Sequence, residues 1–287
     1  MDSTWINAPA KINIGLDVLR RREDGYHEVK MIMQSIRLFD RLTLTKSREP
    51  GIRLTTNLHF LPVNEDNLVY KSAKLLMEEF QIDGGLDIQL DKRIPVAAGM
   101  AGGSTDAASC MLALNHLYKL GLSKRQLMKR GLSLGADIPY CVMKGTALSE
   151  GIGEKLSTIP QMPDCYILIA KPGIHVSTRF VYTNLVLDDN TPHPDIESMI
   201  TAMRNRDLHD LCAHLGNVLE TVTIPAHPEI AEIKKCMIEN GALGSLMSGS
   251  GPTVFGIFDD FDKAMAAKEK CRQLPYRCFA FVTDLYR

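Results

Sequence analysis

The sequence predicts an α+β protein in two domains, and three observations carry that prediction. Period-two apolar alternation, the mark of half-buried strands, is interleaved with helical spacing, as when helices cover one face of a mixed sheet. At 287 residues the chain exceeds one ordinary compact domain. The turn-rich stretch 160–164 separates two differently patterned halves, which sets the expected domains at 1–160 and 161–287.

Residues 3 to about 56 read as strand, with alternation in Leu42-Thr43-Leu44-Thr45 and Ile52-Arg53-Leu54-Thr55. Val69, Ala73, Leu76 and Phe80 then fall on one helical face behind the capping stretch Glu65-Asp66-Asn67. Leu86, Ile88 and Leu90 alternate again up to Ile94-Pro95. Past Gly102-Gly103, Ala107, Met111, Leu114 and Tyr118 return to helical spacing, so a glycine-rich loop runs straight into the positive end of a helix. A helix over 127–134 leads into Gly135-Ala136-Asp137-Ile138-Pro139. In the second half, 165–170 reads as a buried strand, 208–219 and 230–238 as amphipathic helices, and Ser248-Gly249-Ser250-Gly251 as a loop. Strand 253–258, helix 262–274 and strand 277–285 close the chain, while 188–195, rich in Pro and Asp, reads as a loop.

Composition excludes several function classes. Lys plus Arg number 33 against 34 Asp plus Glu, which leaves no global positive field to gather nucleic acid or anionic lipid. No apolar run reaches membrane-spanning length. The seven cysteines are scattered and never form C-x-x-C, so neither a disulfide framework nor a zinc site is favoured. With no secretory or transit pattern in the first residues, a cytoplasmic protein is expected.

The most informative segment is Pro95-Val96-Ala97-Ala98-Gly99-Met100-Ala101-Gly102-Gly103-Ser104-Thr105. Its glycines permit the close backbone approach that wrapping a phosphate requires, Ser104 and Thr105 supply hydroxyls, and the free N–H groups of a first helical turn face an anion. Gly103 is followed by Ser104 rather than Lys, so this is no Walker A loop, and no G-x-G-x-x-G follows a strand. Taken alone, the segment fits equally well a tight strand-to-helix turn with Ser104 as N-cap.

Three segments together resolve that ambiguity. The loop 95–109, the segment APAKINIGLDVLRRREDGYHEV at 8–29, and Leu246-Met247-Ser248-Gly249-Ser250-Gly251-Pro252-Thr253-Val254-Phe255 resemble the three motifs of the GHMP superfamily of small-molecule kinases. The Gly25-Tyr26-His27 element resembles the branch whose acceptor is a cytidine diphosphate-linked methylerythritol. This resemblance spans nearly the whole chain. It implies an N-terminal domain like the second domain of ribosomal protein S5, a ferredoxin-like C-terminal domain, and an active site between them. Met100 and Thr105 stand where the branch commonly has Leu and Ser, exchanges that preserve volume or hydroxyl chemistry.

The resemblance also assigns roles. ATP is the expected co-substrate, held by residues 95–105, and Mg²⁺ is expected to neutralise phosphate charge although no carboxylate cluster forms an obvious cage. Asp137, which by its context reads as a cap or turn residue, stands at the catalytic aspartate. Lys11, otherwise a solvated strand residue, is implied to hold that carboxylate ionised and to stabilise charge growing on the acceptor oxygen. Asn13, Tyr26 and His27 fall on acceptor-binding positions, with Tyr182 as a further face for a pyrimidine ring. Asp106, in the first helical turn, is given a structural or magnesium-orienting role. The partners expected are small molecules, not nucleic acid or membrane. Three other readings share part of this pattern: a homoserine- or mevalonate-type kinase, which would lack Gly25-Tyr26-His27; an S5-like RNA-binding module, disfavoured by the charge balance; and a nucleotide sensor without catalysis, disfavoured by the presence of both Lys11 and Asp137.

Overall fold

A computed structural model describes residues 2–287. Two compact units organise the chain. The first holds the residues up to Ala10, Leu38–Val96 and Ala101–Lys144, and the second Lys11–Arg37, Ala97–Met100 and Gly145–Arg287. Two long strands, β1 (Ser3–Arg21) and β2 (His27–Ser47), run through both. The units therefore divide the chain differently from a single cut at 160.

In the first unit, β3 (Gly51–Thr56), α1 (Leu68–Glu79), β4 (Gly85–Asp91), α2 (Gly102–Leu117), α3 (Lys124–Leu132) and α4 (Ile138–Met143) come in order. The second half of β2 pairs antiparallel with β4, from Arg41 opposite Asp91 to Ser47 opposite Gly85, and β4 pairs parallel with β3. Alternation fixes this register, since Leu42, Leu44, Leu86, Ile88 and Leu90 are all buried. Val69, Ala73 and Leu76 of α1 and Met111 and Leu114 of α2 are buried with them. Asn67 starts α1 by accepting the amide of Val69 at 2.9 Å, as its sequence position suggests.

The second unit continues with β5 (Thr146–Gly151), β6 (Lys155–Thr158), β7 (Tyr166–Pro172), α5 (Thr178–Asn184), α6 (Ile196–Asn205), α7 (Leu208–Ala213), β8 (Gly216–Asn217), α8 (Glu220–Ala226), α9 (Glu229–Glu239), β9 (Gly244–Met247), β10 (Val254–Phe258), α10 (Phe261–Arg272) and β11 (Cys278–Asp284). The first half of β2 pairs antiparallel with β5, and β5 with β6. A separate antiparallel sheet runs β11-β7-β10-β9, the strand order of a ferredoxin-like ladder. Its centre is the apolar run 167–170 of β7 together with β10, where Phe255 and Phe258 are fully buried and contribute about 1.5–3 kcal/mol each.

Two sequence expectations change here. The single helix expected over 208–219 is α7, a break, and the two-residue strand β8 that pairs parallel with β1 at Gly15 opposite Gly216. Extended backbone wins there through the pairing of Gly216 with Gly15, and it lets the Asn217 side chain bond the carbonyls of Met247 and Gly249. Helices α5 and α6 arise in a stretch to which the sequence assigns no element. Among the described residues no helix is long and apolar enough to cross a membrane, and all seven cysteines are free.

Candidate active site

Within the second unit, the three sequence segments converge on one atom. Lys11 and Asn13, two apart on β1, share a face, and both are buried. The Lys11 ammonium donates to Asn13 Oδ1 at 2.7 Å and to the Gly99 carbonyl at 3.1 Å. The Ser248 hydroxyl donates to the same carbonyl at 2.9 Å and accepts the Asn13 amide at 3.4 Å. The Lys11 amide bonds the Met100 carbonyl at 3.2 Å. Gly99 has φ +71°, and a Cβ there would lie 2.2 Å from the Ser248 carbonyl oxygen, so only glycine allows the two loops to approach this closely.

Residues that sequence reasoning missed lock the third segment in place. Asn217 Nδ2 donates to the carbonyls of Met247 and Gly249, both at 2.8 Å, while its Oδ1 accepts the Leu219 amide at 3.0 Å. Glu220 accepts the Met247 amide at 2.8 Å and pairs with Lys234 at 2.6 Å. Thr178 and Ser250 share a hydroxyl hydrogen bond of 2.8 Å. No spacing rule reaches across the 30 residues between Asn217 and Met247.

In the first unit, α2 begins directly after the glycine-rich loop. The cap of α2 is Ala101, in left-handed conformation and offering no side-chain cap, so Ser104 is not the N-cap. Among the described residues the amides of Gly102, Gly103 and Ser104 donate to no protein acceptor, which leaves the positive helix end open. The Thr105 hydroxyl is buried without a partner.

Asp106 turns away from that end. Lys92, buried, bonds Asp40 and, at 2.6 Å, Asp106, while Asp40 Oδ1 accepts the amides of Arg93 at 2.5 Å and Ile94 at 2.8 Å. Burial alone would lower the Lys92 pKa, but the charges of Asp106 and Asp40 outweigh it and leave it raised. Burial pushes the Asp106 carboxyl well above its ordinary range, with the Asp40 charge adding to the shift and Lys92 opposing it. Of its two expected roles, the structural one describes this arrangement. Asp137 occupies the cap position of α4, half-buried, but its side chain makes no capping bond. Among the described residues its carboxylate makes no hydrogen bond or ion pair.

The acceptor candidates Tyr26, His27 and Tyr182 line one cavity of ≈ 570 Å³ in the second unit, together with Arg21, Thr178 and Arg179. The rings of His27 and Tyr182 lie 5.1 Å apart at 41°, and Tyr26 is 61% exposed. Burial, then the charge of Arg21, lowers the His27 pKa, so the imidazole is neutral at physiological pH and can both donate and accept. Among the described residues no three His, Cys, Asp or Glu side chains gather to hold a metal.

Known proteins place this arrangement. The model of the GHMP kinases N terminal domain matches residues 67–145, and that of the GHMP kinases C terminal matches 199–277. With the uncapped helix start and the two glycine loops, these define a GHMP kinase. A 4-diphosphocytidyl-2-C-methyl-D-erythritol kinase from Lachnospira eligens is 54% identical over 95% of this chain and 95% of its own length, and one from Lachnoclostridium phytofermentans 52% over 100% and 98%. A crystal structure of 4-(cytidine 5'-diphospho)-2C-methyl-D-erythritol kinase superposes with TM-score 0.85 at 33% identity, covering 99% of this chain and 100% of that one. The homoserine kinase of Cytophaga hutchinsonii, at TM-score 0.81 and 19% identity over 99% and 95%, shares the fold. The chain belongs to the 4-diphosphocytidyl-2-C-methyl-D-erythritol kinase family.

Proposed function

We propose that the chain transfers the γ-phosphoryl group of ATP to the 2-hydroxyl of 4-diphosphocytidyl-2-C-methyl-D-erythritol, a step in making isoprenoid precursors by the non-mevalonate route. The observation that carries this reading is the meeting of Lys11 and Ser248 on the Gly99 carbonyl, with Asn13 bonded to both, which ties together the three segments singled out in the sequence. Relatives at half identity over nearly the full chain support the choice of acceptor over homoserine or mevalonate.

In this mechanism residues 95–105 hold the nucleotide, with the free amides of Gly102, Gly103 and Ser104 facing its phosphates. Asp137 orients the acceptor hydroxyl and takes its proton as the oxygen bonds the γ-phosphorus and the bond to the departing ADP oxygen breaks. Lys11 stabilises the negative charge that grows on the acceptor oxygen. Its buried ammonium is held in place by two neutral oxygens, those of Asn13 and Gly99, so its charge is not cancelled by them. Tyr182 and Tyr26 present ring faces to the cytosine, and neutral His27 reads its edge.

Asp106 is committed to Lys92 and no carboxylate cage exists among the described residues, so Mg²⁺ would come with the nucleotide. The ion would supply neutralisation of phosphate charge. A cytoplasmic location and a domain boundary near residue 160, between the two family-model matches, go with this reading.

A coupled ADP-release assay tests it, offering the cytidylyl methylerythritol, homoserine and mevalonate in parallel. Turnover with the first alone is expected. Equal or greater turnover with either of the others would overturn the choice of acceptor.

A further inference from the structure

The cavity that holds His27 and Tyr182 also carries two positive charges that the proposed base contacts do not use. Arg21 lines it from the end of β1 and Arg179 from the first turn of α5, and no Asp or Glu lines it. The neighbours of Arg21 are engaged: Arg20 pairs with Glu28 at 2.6 Å and Arg22 with Asp24 at 2.8 Å. Strand alternation sends Arg21 to the other side, where, among the described residues, neither it nor Arg179 makes an ion pair or hydrogen bond. Arg21 is near enough to His27 for its charge to act on the imidazole. Two unpaired guanidinium groups in the lining of this cavity offer planar, multi-donor contacts to phosphate oxygens.

We propose that Arg21 and Arg179 grip the diphosphate that links the pyrimidine nucleoside to the sugar alcohol, and so select for a charged linker of that length. The inference rests on the base-binding reading of this cavity. A nucleoside enters by stacking, which is indifferent to the group carried on the far side of the ribose; the guanidinium pair adds a reward for two adjacent phosphates. Specificity is thereby divided between a neutral ring site and a cationic linker site.

The test is calorimetric titration of the full chain with cytidine, CMP and CDP, with ADP saturating so that the donor site is filled, in the wild type, the double variant R21Q/R179Q and the double variant R21K/R179K. The wild type is expected to bind CDP at least ~10-fold tighter than cytidine, with CMP between them, the scale of one or two charge-assisted hydrogen bonds. In R21Q/R179Q the three affinities should fall within about 3-fold of one another while cytidine affinity, which also reports an intact cavity, stays unchanged; the lysine pair should restore part of the CDP preference. A wild type that binds all three alike, a glutamine variant that keeps the CDP preference, or one that loses cytidine and CDP by the same factor overturns this inference alone. A wild type that binds none of the three overturns the base-binding reading and this inference with it.

Discussion

Lys92 and Lys11 are both buried, at 8% and 5% exposure, yet their surroundings are opposite in kind. Lys92, in the first unit, sits between the carboxylates of Asp40 and Asp106. Among the described residues the Lys11 ammonium, in the second, hydrogen-bonds the amide oxygen of Asn13 and the carbonyl of Gly99, and no carboxylate of its own unit pairs with it. Burying an ammonium is costly unless an anion accompanies it. A lysine that brings its own counter-charges serves the fold, whereas in the function proposed above one held by neutral oxygens keeps its charge for the substrate. The same logic separates Asp106, bound to Lys92, from Asp137, whose carboxylate makes no capping bond.

The contrast can be broken most severely at Lys92. Lys92→Met strands two buried carboxylates and should lower the unfolding free energy by about 3–5 kcal/mol in denaturant titration; a loss below ~1 kcal/mol would put both lysines in one class. Lys11→Ala and Asp137→Ala should each slow phosphoryl transfer at least ~100-fold, or about 2.7 kcal/mol, with thermal midpoints close to wild type. Near-normal turnover in either variant removes its assigned role. Tyr182→Ala and His27→Ala should raise the acceptor KM about 10-fold with little change in kcat, the scale of one stacked base. An unchanged KM would place cytosine elsewhere.

The mildest test sharpens the Asp106 side. Because the folded-state carboxyl binds its proton more tightly than the ordinary value of 3.8, its contribution to stability is complete below that pH and is lost as pH rises through the raised folded value. Asp106→Asn, a permanently neutral replacement, should flatten that part of the stability profile above pH 3.8. It should also cost far less than Lys92→Met. A variant with an unaltered profile would show that the carboxyl is ionised throughout.

Much of this was legible in the residues themselves. Strand alternation at Leu42–Leu44 and Leu86–Leu90 and helical spacing from Ala107 to Tyr118 report burial directly, and burial is what the fold enforces. The glycine loops could be read because a backbone that must pass within van der Waals contact of another admits no side chain, as at Gly99. The supports of those loops could not. Asn217 lies in a segment whose apolar pattern suits a helix, and only tertiary pairing of Gly216 with Gly15 makes it extended. Lys92 and Asp40 are separated by 52 residues, and nothing in a charged residue at a strand end distinguishes a buried ion pair from a solvated one. The two compact units interleave along the chain, a pattern that composition does not carry.

That division has a mechanical side. The chain passes between the two units five times, at 10/11, 37/38, 96/97, 100/101 and 144/145, and β1 and β2 each serve both. No single cleavage of the backbone can release either unit with all its strands. The protein is thus a poor subject for dissection into fragments.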